Sequence, residues 1–391
     1  MKNRAITLIL LLALLLTLAP ATVYAAPPLQ ESVTCDQDYN VQLADWLSKI
    51  SERFLGDPLA YPAIALATNI ASASDPSYAI IIDPDVVEPG WKLCIPSADD
   101  AETLLASRYA IQLETKDIGP NNPFWQIVWD GAEGMATKWL GVIEYTVNAP
   151  TSEADVDVQV AQLEDAITKG VDALVVAPTD ASALNPTFDR AKEAGIPVLI
   201  IDSNTTWPDK LTFIGTDNVA GGRLAGDYIC SELGNGGRVG IISGQESAAS
   251  IAERVAGAEE ALGKCGTQIV AKISGDHSRA GGQTVMEDIL ASNPDLQAIF
   301  AINDNEALGA MEALKAAGKQ GDVIVVGFDA NPDAIASILN GEMSATVAQA
   351  PANMGRFGVA WALNNLLGHK VEPLIDTGTS LVTADNAAQF Q

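Results

Sequence analysis

From Arg108 to near the C-terminus the chain repeats one unit: a short apolar run, a turn, then an amphipathic stretch of ten to eighteen residues. The runs are Tyr109–Leu113, Val142–Val147, Ala173–Ala177, Val198–Ile201, Leu211–Ile214, Val239–Ile242, Gln268–Ile273, Ala298–Ile302, Val323–Gly327 and Ala345–Ala348. They are short, rich in Val and Ile, and do not alternate apolar with polar, which suits strands buried on both faces of parallel sheets. Between them, segments such as Val156–Lys169, Leu184–Ala194, Asp304–Ala317 and Met354–Leu367 carry helical periodicity. The alternation predicts an α/β architecture with right-handed crossovers. Ten such strands are better accommodated as two doubly wound parallel-sheet lobes than as one sheet.

The loops of this pattern carry no nucleotide fingerprint. The turn after the first run reads Lys116-Asp117-Ile118-Gly119-Pro120-Asn121-Asn122-Pro123-Phe124-Trp125, without Gly-x-Gly-x-x-Gly. Gly234-Asn235-Gly236-Gly237 precedes a strand and is a connecting turn, not a phosphate cradle. No Gly-x-Ser-x-Gly elbow is present. Two histidines, His277 and His369, exclude a His-rich metal site. Fifty acidic against 22 basic residues give a formal net charge of −28, which excludes a nucleic-acid partner, since phosphate neutralisation needs a Lys/Arg surface. We expect no cofactor, no metal and no catalytic residue, hence no enzyme.

At the N-terminus, Lys2 and Arg4 precede a fourteen-residue apolar run, Ala5–Leu18, followed by Pro20 and Val23-Tyr24-Ala25. This is the grammar of a secretory signal peptide over residues 1–25, cleaved after Ala25. The run is shorter than the roughly 20 residues that span a bilayer, and no cysteine follows it directly to carry a lipid. Loss of Lys2 and Arg4 takes the charge from −28 to −30. That charge is spread over the whole chain and is not a tail, so it argues against electrostatic adhesion to an anionic wall or lipid surface. Export to an oxidising compartment makes the four cysteines disulfide candidates, with three possible pairings. Cys35 and Cys94 bracket one compact segment, while Cys230 and Cys265 share a later α/β stretch. The positions favour Cys35–Cys94 and Cys230–Cys265, with two buried thiols as the alternative for the second pair.

Residues 26–97 read as a separate module, joined by a linker over 98–107 to the large module at 108–391. Within it, Tyr39-Asn40-Val41 is extended and Trp46–Phe54 is amphipathic. Gly56-Asp57-Pro58 stops that helix, a second helix runs from about Ala60 to Asn69, and Ile82–Pro96 closes the segment. A strand, two helices and a strand in about sixty residues need a staple. The segment resembles a LysM domain, a small βααβ glycan-binding module. The likeness is carried by Tyr-x-Val, Leu47-Ser48-Lys49-Ile50-Ser51-Glu52-Arg53-Phe54, Gly56-Asp57-Pro58, Asn69-Ile70 and Pro89-Gly90-x-Lys92-Leu93-x-Ile95-Pro96. It departs at Ala44-Asp45-Trp46 and in an insertion around residues 71–81. The resemblance implies binding of an N-acetylglucosamine-containing wall glycan; a purely structural module is the other reading.

In the large module, polar residues gather at the carboxyl ends of the strands, where open α/β sheets bind ligands. Asp202 follows Leu199-Ile200-Ile201, Asn303 and Asp304 follow Phe300-Ala301-Ile302, Asp329 follows Val326-Gly327-Phe328, and Gln349 follows Val347-Ala348. Arg254 lies near the start of the helix after Val239–Ile242. Carboxylates accept from two hydroxyls, a guanidinium donates twice, and amides do both. Phe124 and Trp125 would cover the C–H face of a sugar ring. Each residue also has a structural reading: Asp304 as a helix N-cap, Phe124 and Trp125 as core, Arg254 as a solvated side chain, Asp202 and Asp329 as turn caps.

Residues 108–385 resemble a periplasmic sugar-binding protein of the ribose-binding type, the receptor component of an ABC importer. The carrying motifs are Asn121-Asn122-Pro123-Phe124-Trp125, Ala177-Pro178-Thr179-Asp180, Gly195-Ile196-Pro197-Val198 and Gly215-Thr216-Asp217-Asn218. Ala301-Ile302-Asn303-Asp304-x-x-Ala307-Leu308-Gly309, Val326-Gly327-Phe328-Asp329 and Ala345-Thr346-Val347-Ala348-Gln349 complete them. The resemblance implies ligand positions at Asn122, Phe124, Trp125, Asp202, Arg254, His277, Asn303, Asp329 and Gln349. Three departures bear on the ligand. The family's ribose receptor has Asn where this chain has Ala177, Arg where it has Ser203, and an aromatic residue where it has His277, which alternatively sits behind the pocket. Two lost donors point from ribose toward another pentose, a hexose or a polyol.

The resemblance further implies two lobes, 108–216 with 350–378 and 217–349 with 379–391, closing over ligand and presenting both to the importer's membrane subunits. The expected protein is an exported monomer of the periplasm or cell-wall space. The alternatives are a sensory co-receptor for a chemoreceptor or kinase, and a wall-glycan hydrolase using Asp202 and Asp329 as a carboxylate pair.

Overall fold

The computed structural model describes residues 33–118, 122–234 and 236–391. The signal segment and its cleavage after Ala25 lie outside the described residues, as does Asn121 of the first cleft motif. Among the described residues no helix is long and apolar enough to cross a membrane.

The N-terminal module pairs β1 (Cys35–Asn40) antiparallel with β2 (Lys92–Pro96), around α1 (Leu47–Leu55) and α2 (Tyr61–Ser74). Gly56, at φ 76°, ends α1 in the left-handed conformation that glycine adopts freely. The Cys35–Cys94 disulfide ties the two strands together. From Pro62 to Ile70 every residue of α2 is buried, Thr68 and Asn69 included, so the helix must be covered on all sides. Lobe 1 supplies the missing cover. Residues 98–107, expected to be a linker, hold instead a capped helix, α3 (Ala98–Ala106), with Ala101 and Leu104 buried.

The large module consists of two six-stranded sheets. Lobe 1 contains β3 (Tyr109–Glu114), α4 (Pro123–Thr137), β4 (Ile143–Asn148), α5 (Val156–Lys169), β5 (Ala173–Val176), α6 (Asn185–Glu193), β6 (Val198–Ile201) and β7 (Thr212–Gly215). Lobe 2 follows with α7 (Asn218–Leu233), β8 (Arg238–Ser243), α8 (Ala249–Lys264), β9 (Gln268–Ser274), α9 (Arg279–Ser292) and β10 (Ala298–Ala301). It continues with α10 (Asp304–Ala316), β11 (Ile324–Asp329), α11 (Pro332–Leu339) and β12 (Ala345–Ala348). The chain then returns to lobe 1 as α12 (Pro351–Leu366) and β13 (Leu374–Asp376), and crosses again to end in β14 (Ser380–Thr383). Strand order is β13-β7-β6-β5-β3-β4 in one sheet and β14-β12-β11-β10-β8-β9 in the other, every pair parallel except β12–β14. The sheets are thus joined by three chain crossings. Apolar clusters lie on both faces of each sheet, as expected for strands with no polar face.

Helix pairs pack closely through glycine. A Cβ on Gly355 of α12 would stand 2.0 Å from the Val128 carbonyl oxygen of α4, so only glycine lets these two helices touch. On lobe 2 the Cys230–Cys265 disulfide links the end of α7 to the end of α8.

Candidate functional site

The carboxyl ends of both sheets face one another across a narrow cavity lined by both lobes. All nine positions expected from sequence line it: Asn122, Phe124, Trp125 and Asp202 from lobe 1, Arg254, His277, Asn303 and Asp329 from lobe 2, and Gln349 at a crossing. Five further residues complete the wall: Lys116, Glu153, Ser250, Ile251 and Ile302.

On the lobe 1 side, Asn122 caps α4 by accepting from the Phe124 N–H, with Pro123 at the first helical position. Phe124 and Trp125 therefore fall in the first turn, edge to face with centroids 5.0 Å apart. They are buried and also line the cavity, so the core and ligand-wall readings coincide. Lys116, two residues beyond β3, reaches Asp202 at 2.7 Å and lies over the Trp125 ring. Asp202 thus has a buried cation beside it. Glu153, from the loop after β4, accepts from the Trp125 indole N–H at 3.1 Å and faces His277 of lobe 2 at 3.9 Å. Burial raises the Glu153 carboxyl, but the charges of His277, Lys116 and Arg254 and the Trp125 bond outweigh it and hold the group below its ordinary value.

On the lobe 2 side, Arg254 is buried and fixed: it donates to Asn218 and to the Ile302 carbonyl, both at 2.9 Å, and stacks over Phe328. Its guanidinium lies 3.6 Å from Asp329, which also accepts from Gln349 at 2.7 Å. Burial nevertheless pushes Asp329 up to about 7, against the pull of Arg254 and Gln349. The reading of Asp304 as an N-cap is corrected. Asn303 caps α10 by accepting from the Glu306 N–H, and Asp304 turns inward to accept from Asn331 N–H and the Thr346 hydroxyl. Burial and the neighbouring Asp329 raise its carboxyl well above the ordinary range. Glu306, also pushed up by burial, accepts from the His277 N–H. His277 therefore stands in the cavity wall, with the buried Glu306 holding its backbone N–H.

The backbone adds an independent signal. Six non-glycine residues among those described have φ in the left-handed half of the map, and three of them line the cavity: Asp202 at 59°, His277 at 66° and Asp329 at 116°. Such conformations cost about 1–3 kcal/mol each and concentrate where side chains must be aimed.

Lys116 and Glu153 were missed in the sequence: Lys116 follows β3 by the same strand-end rule that found Asp202 and Asp329, whereas Glu153 stands five residues past the end of β4. The lining carries three carboxylates, a lysine, an arginine and a histidine, and each carboxylate already has a positive or N–H partner. A cavity so balanced, with amides and aromatic faces between the charges, fits a neutral polyhydroxylated ligand better than an anion or a cation.

A profile of the periplasmic binding protein domain matches residues 119–370. The chain is 40% identical over 267 residues to the ribose import binding protein RbsB of Bacillus subtilis (strain 168), covering 67% of this chain and 84% of that protein. It is 37% identical over 300 residues to a D-ribose/D-allose-binding protein of Pseudomonas aeruginosa, covering 74% and 92%. Among solved structures, an ABC transporter solute binding protein from Agrobacterium vitis with bound D-fucose superposes with a TM-score of 0.68 at 35% identity, covering 71% of this chain and 96% of that one.

Proposed function

The chain belongs to the periplasmic binding protein domain family, and from that premise we propose that it is an exported sugar receptor of an ABC importer, closing its lobes over a monosaccharide or polyol. The observation that supports this reading is the charge-balanced cavity between the two sheets, with Asp202, Arg254, Asn303 and Asp329 at strand and helix ends beside Phe124 and Trp125. Arg254 and the carboxylates bind hydroxyls by charge-assisted hydrogen bonds, and the ring faces cover C–H surface. The relatives are named for ribose and allose and a related structure holds D-fucose, so neutral pentoses, hexoses and their polyols form the panel to test.

Calorimetry of the mature protein against D-ribose, D-allose, D-fucose, D-arabinose and myo-inositol is expected to give one-site binding for at least one of them, and none for sugar acids or phosphates. Asp329→Asn removes a buried acceptor next to Arg254 and is expected to weaken that binding by about 100-fold or more. Asp329 takes up a proton as pH falls through about 7, so affinity should rise from pH 5.5 to 8.5 in the parent and stay flat in the variant. Absence of binding to every neutral sugar and polyol would sink the reading.

The proposal extends to the N-terminal module as a holder at wall glycan. Its loop before α1 leaves Leu43 and Trp46 exposed, at 87% and 54%, with the Lys49 ammonium over the indole. An exposed aromatic face beside polar groups suits a neutral glycan, and the −28 charge of the chain rules out electrostatic attachment to an anionic wall. Retention of the full protein on insoluble peptidoglycan, lost in Trp46→Ala, is the expected result. Equal recovery of both proteins in the unbound fraction would remove the module's holding role.

A further inference from the structure

Helix α8 of lobe 2 begins without a cap of its own. Its N-cap residue is Ala248, which has no side-chain oxygen to offer the first-turn N–H groups. The Ser250 N–H, at the second helical position, donates instead to the hydroxyl of Ser203 at 3.1 Å, and Ser203 belongs to lobe 1, two residues beyond β6. Both residues are buried. Nearby contacts join the same two surfaces: Ala181 N–H of lobe 1 donates to the Ser247 carbonyl at 3.0 Å, and Lys116 reaches the Ser250 hydroxyl at 3.4 Å. Ser203 is not among the residues lining the cavity.

We propose that Ser203 is a positioning residue for ligand capture: it caps α8 across the cleft, so that lobe closure completes a helix N-terminus that the open protein leaves to water. The geometry carries this. A capping hydroxyl normally comes from the residue preceding the helix, and here that residue is an alanine while the hydroxyl arrives from the opposite lobe. A bond made only when the lobes meet favours the closed state by its own free energy and tightens every ligand by the same factor, whatever its hydroxyl pattern. Residues touching the ligand behave differently, because their loss reorders preferences among sugars.

The proposal rests on the sugar-binding reading for its affinity test and has a second test that does not. Removing a helix cap typically costs the equivalent of about a fivefold change in an equilibrium constant. Ser203→Ala is therefore expected to weaken D-ribose, D-allose and D-fucose by the same factor of about five, for those that the parent binds, with Ser203→Thr restoring the parent values through its retained oxygen. The described residues contain no free cysteine, so one cysteine placed on each lobe surface takes a fluorophore pair. Without any sugar, Ser203→Ala should lower the ratio of closed to open forms in the inter-lobe distance distribution by about fivefold, and Ser203→Thr should not. A loss that differs between sugars, or an unchanged closed fraction, overturns the latch. If no sugar binds the parent, the receptor reading fails and the distance distribution alone decides the latch.

Discussion

The two lobes share one strand order and differ in what covers them. Lobe 2 stands on its own, with separate apolar clusters on its two faces and a disulfide between α7 and α8. One face of lobe 1, by contrast, runs without a break into the N-terminal module: Ile64, Leu66 and Ile81 of the module share a cluster with Val128, Ala360 and Leu363 of α4 and α12. Polar contacts pin the seam. Asn69 donates to Asn364 at 3.0 Å, His369 meets Asn69 O at 2.8 Å and Ser72 at 3.1 Å, and Lys138 pairs with Asp83 at 2.8 Å. The contacts with Lys138 and His369 lie at the ends of α4 and α12 remote from the cleft. A small module with too little core of its own has therefore been stabilised by becoming part of one lobe.

The largest expected effect follows from this asymmetry. A chain shortened to begin at Ser107 leaves Asn364, His369 and Lys138 without their partners and exposes the face of α4 and α12 to water. Scanning calorimetry of the shortened chain should show lobe 1 melting well below its temperature in the full protein, and lobe 2 near its original temperature. A shortened protein that melts in one transition at the parent temperature would mean that the shared cluster contributes nothing.

The disulfides sharpen the same comparison. Their sequence separations of 59 and 35 residues correspond, in the chain-entropy description, to about 4 kcal/mol each. Replacing Cys35 and Cys94 by serine should lower the transition of lobe 1 together with the module. Replacing Cys230 and Cys265 should lower that of lobe 2 alone. Hydrogen exchange read lobe by lobe checks the assignment; equal loss of protection in both lobes from either pair would contradict the division.

Much of this was legible in the sequence, for identifiable reasons. Val198–Ile201 and Ala345–Ala348 coincide with β6 and β12 because strands buried on both faces leave an uninterrupted apolar run. The short β13 and β14 were not legible: Leu374 is 60% exposed, and edge strands of three or four residues carry no run to detect. Helix α3 reads as a linker because only Ala101 and Leu104 are buried in it. In the cleft, Asp202, Asn303 and Asp329 announce themselves by following strands. Glu153 does not, since its role depends on Trp125 and on His277 of the other lobe, partners that only the tertiary fold brings near. The fusion of module and lobe was hidden for the same reason.

The smallest of these effects concerns the other face of lobe 1. Strand β3 ends Gln112-Leu113-Glu114, where β8, in the same place of the lobe 2 sheet, ends Ile241-Ile242-Ser243. Glu114 is fully buried, takes one hydrogen bond from Gln112 at 3.1 Å, and has an oxygen with no partner among the described residues. Burial pushes its carboxyl up to about 8 from 4.5. An acid that holds its proton more tightly folded than unfolded makes the protein lose stability as pH rises between those two values. Each unit of such a shift is worth about 1.4 kcal/mol, and a glutamine retains part of the burial cost. Glu114→Gln is thus expected to stabilise lobe 1 by about 2–3 kcal/mol above pH 8 and to change little below pH 4.5, while lobe 2, with Ser243 in that place, keeps its pH profile. Chemical denaturation across pH 4–9 reads the difference, and a gain independent of pH would show that folding does not raise the Glu114 carboxyl.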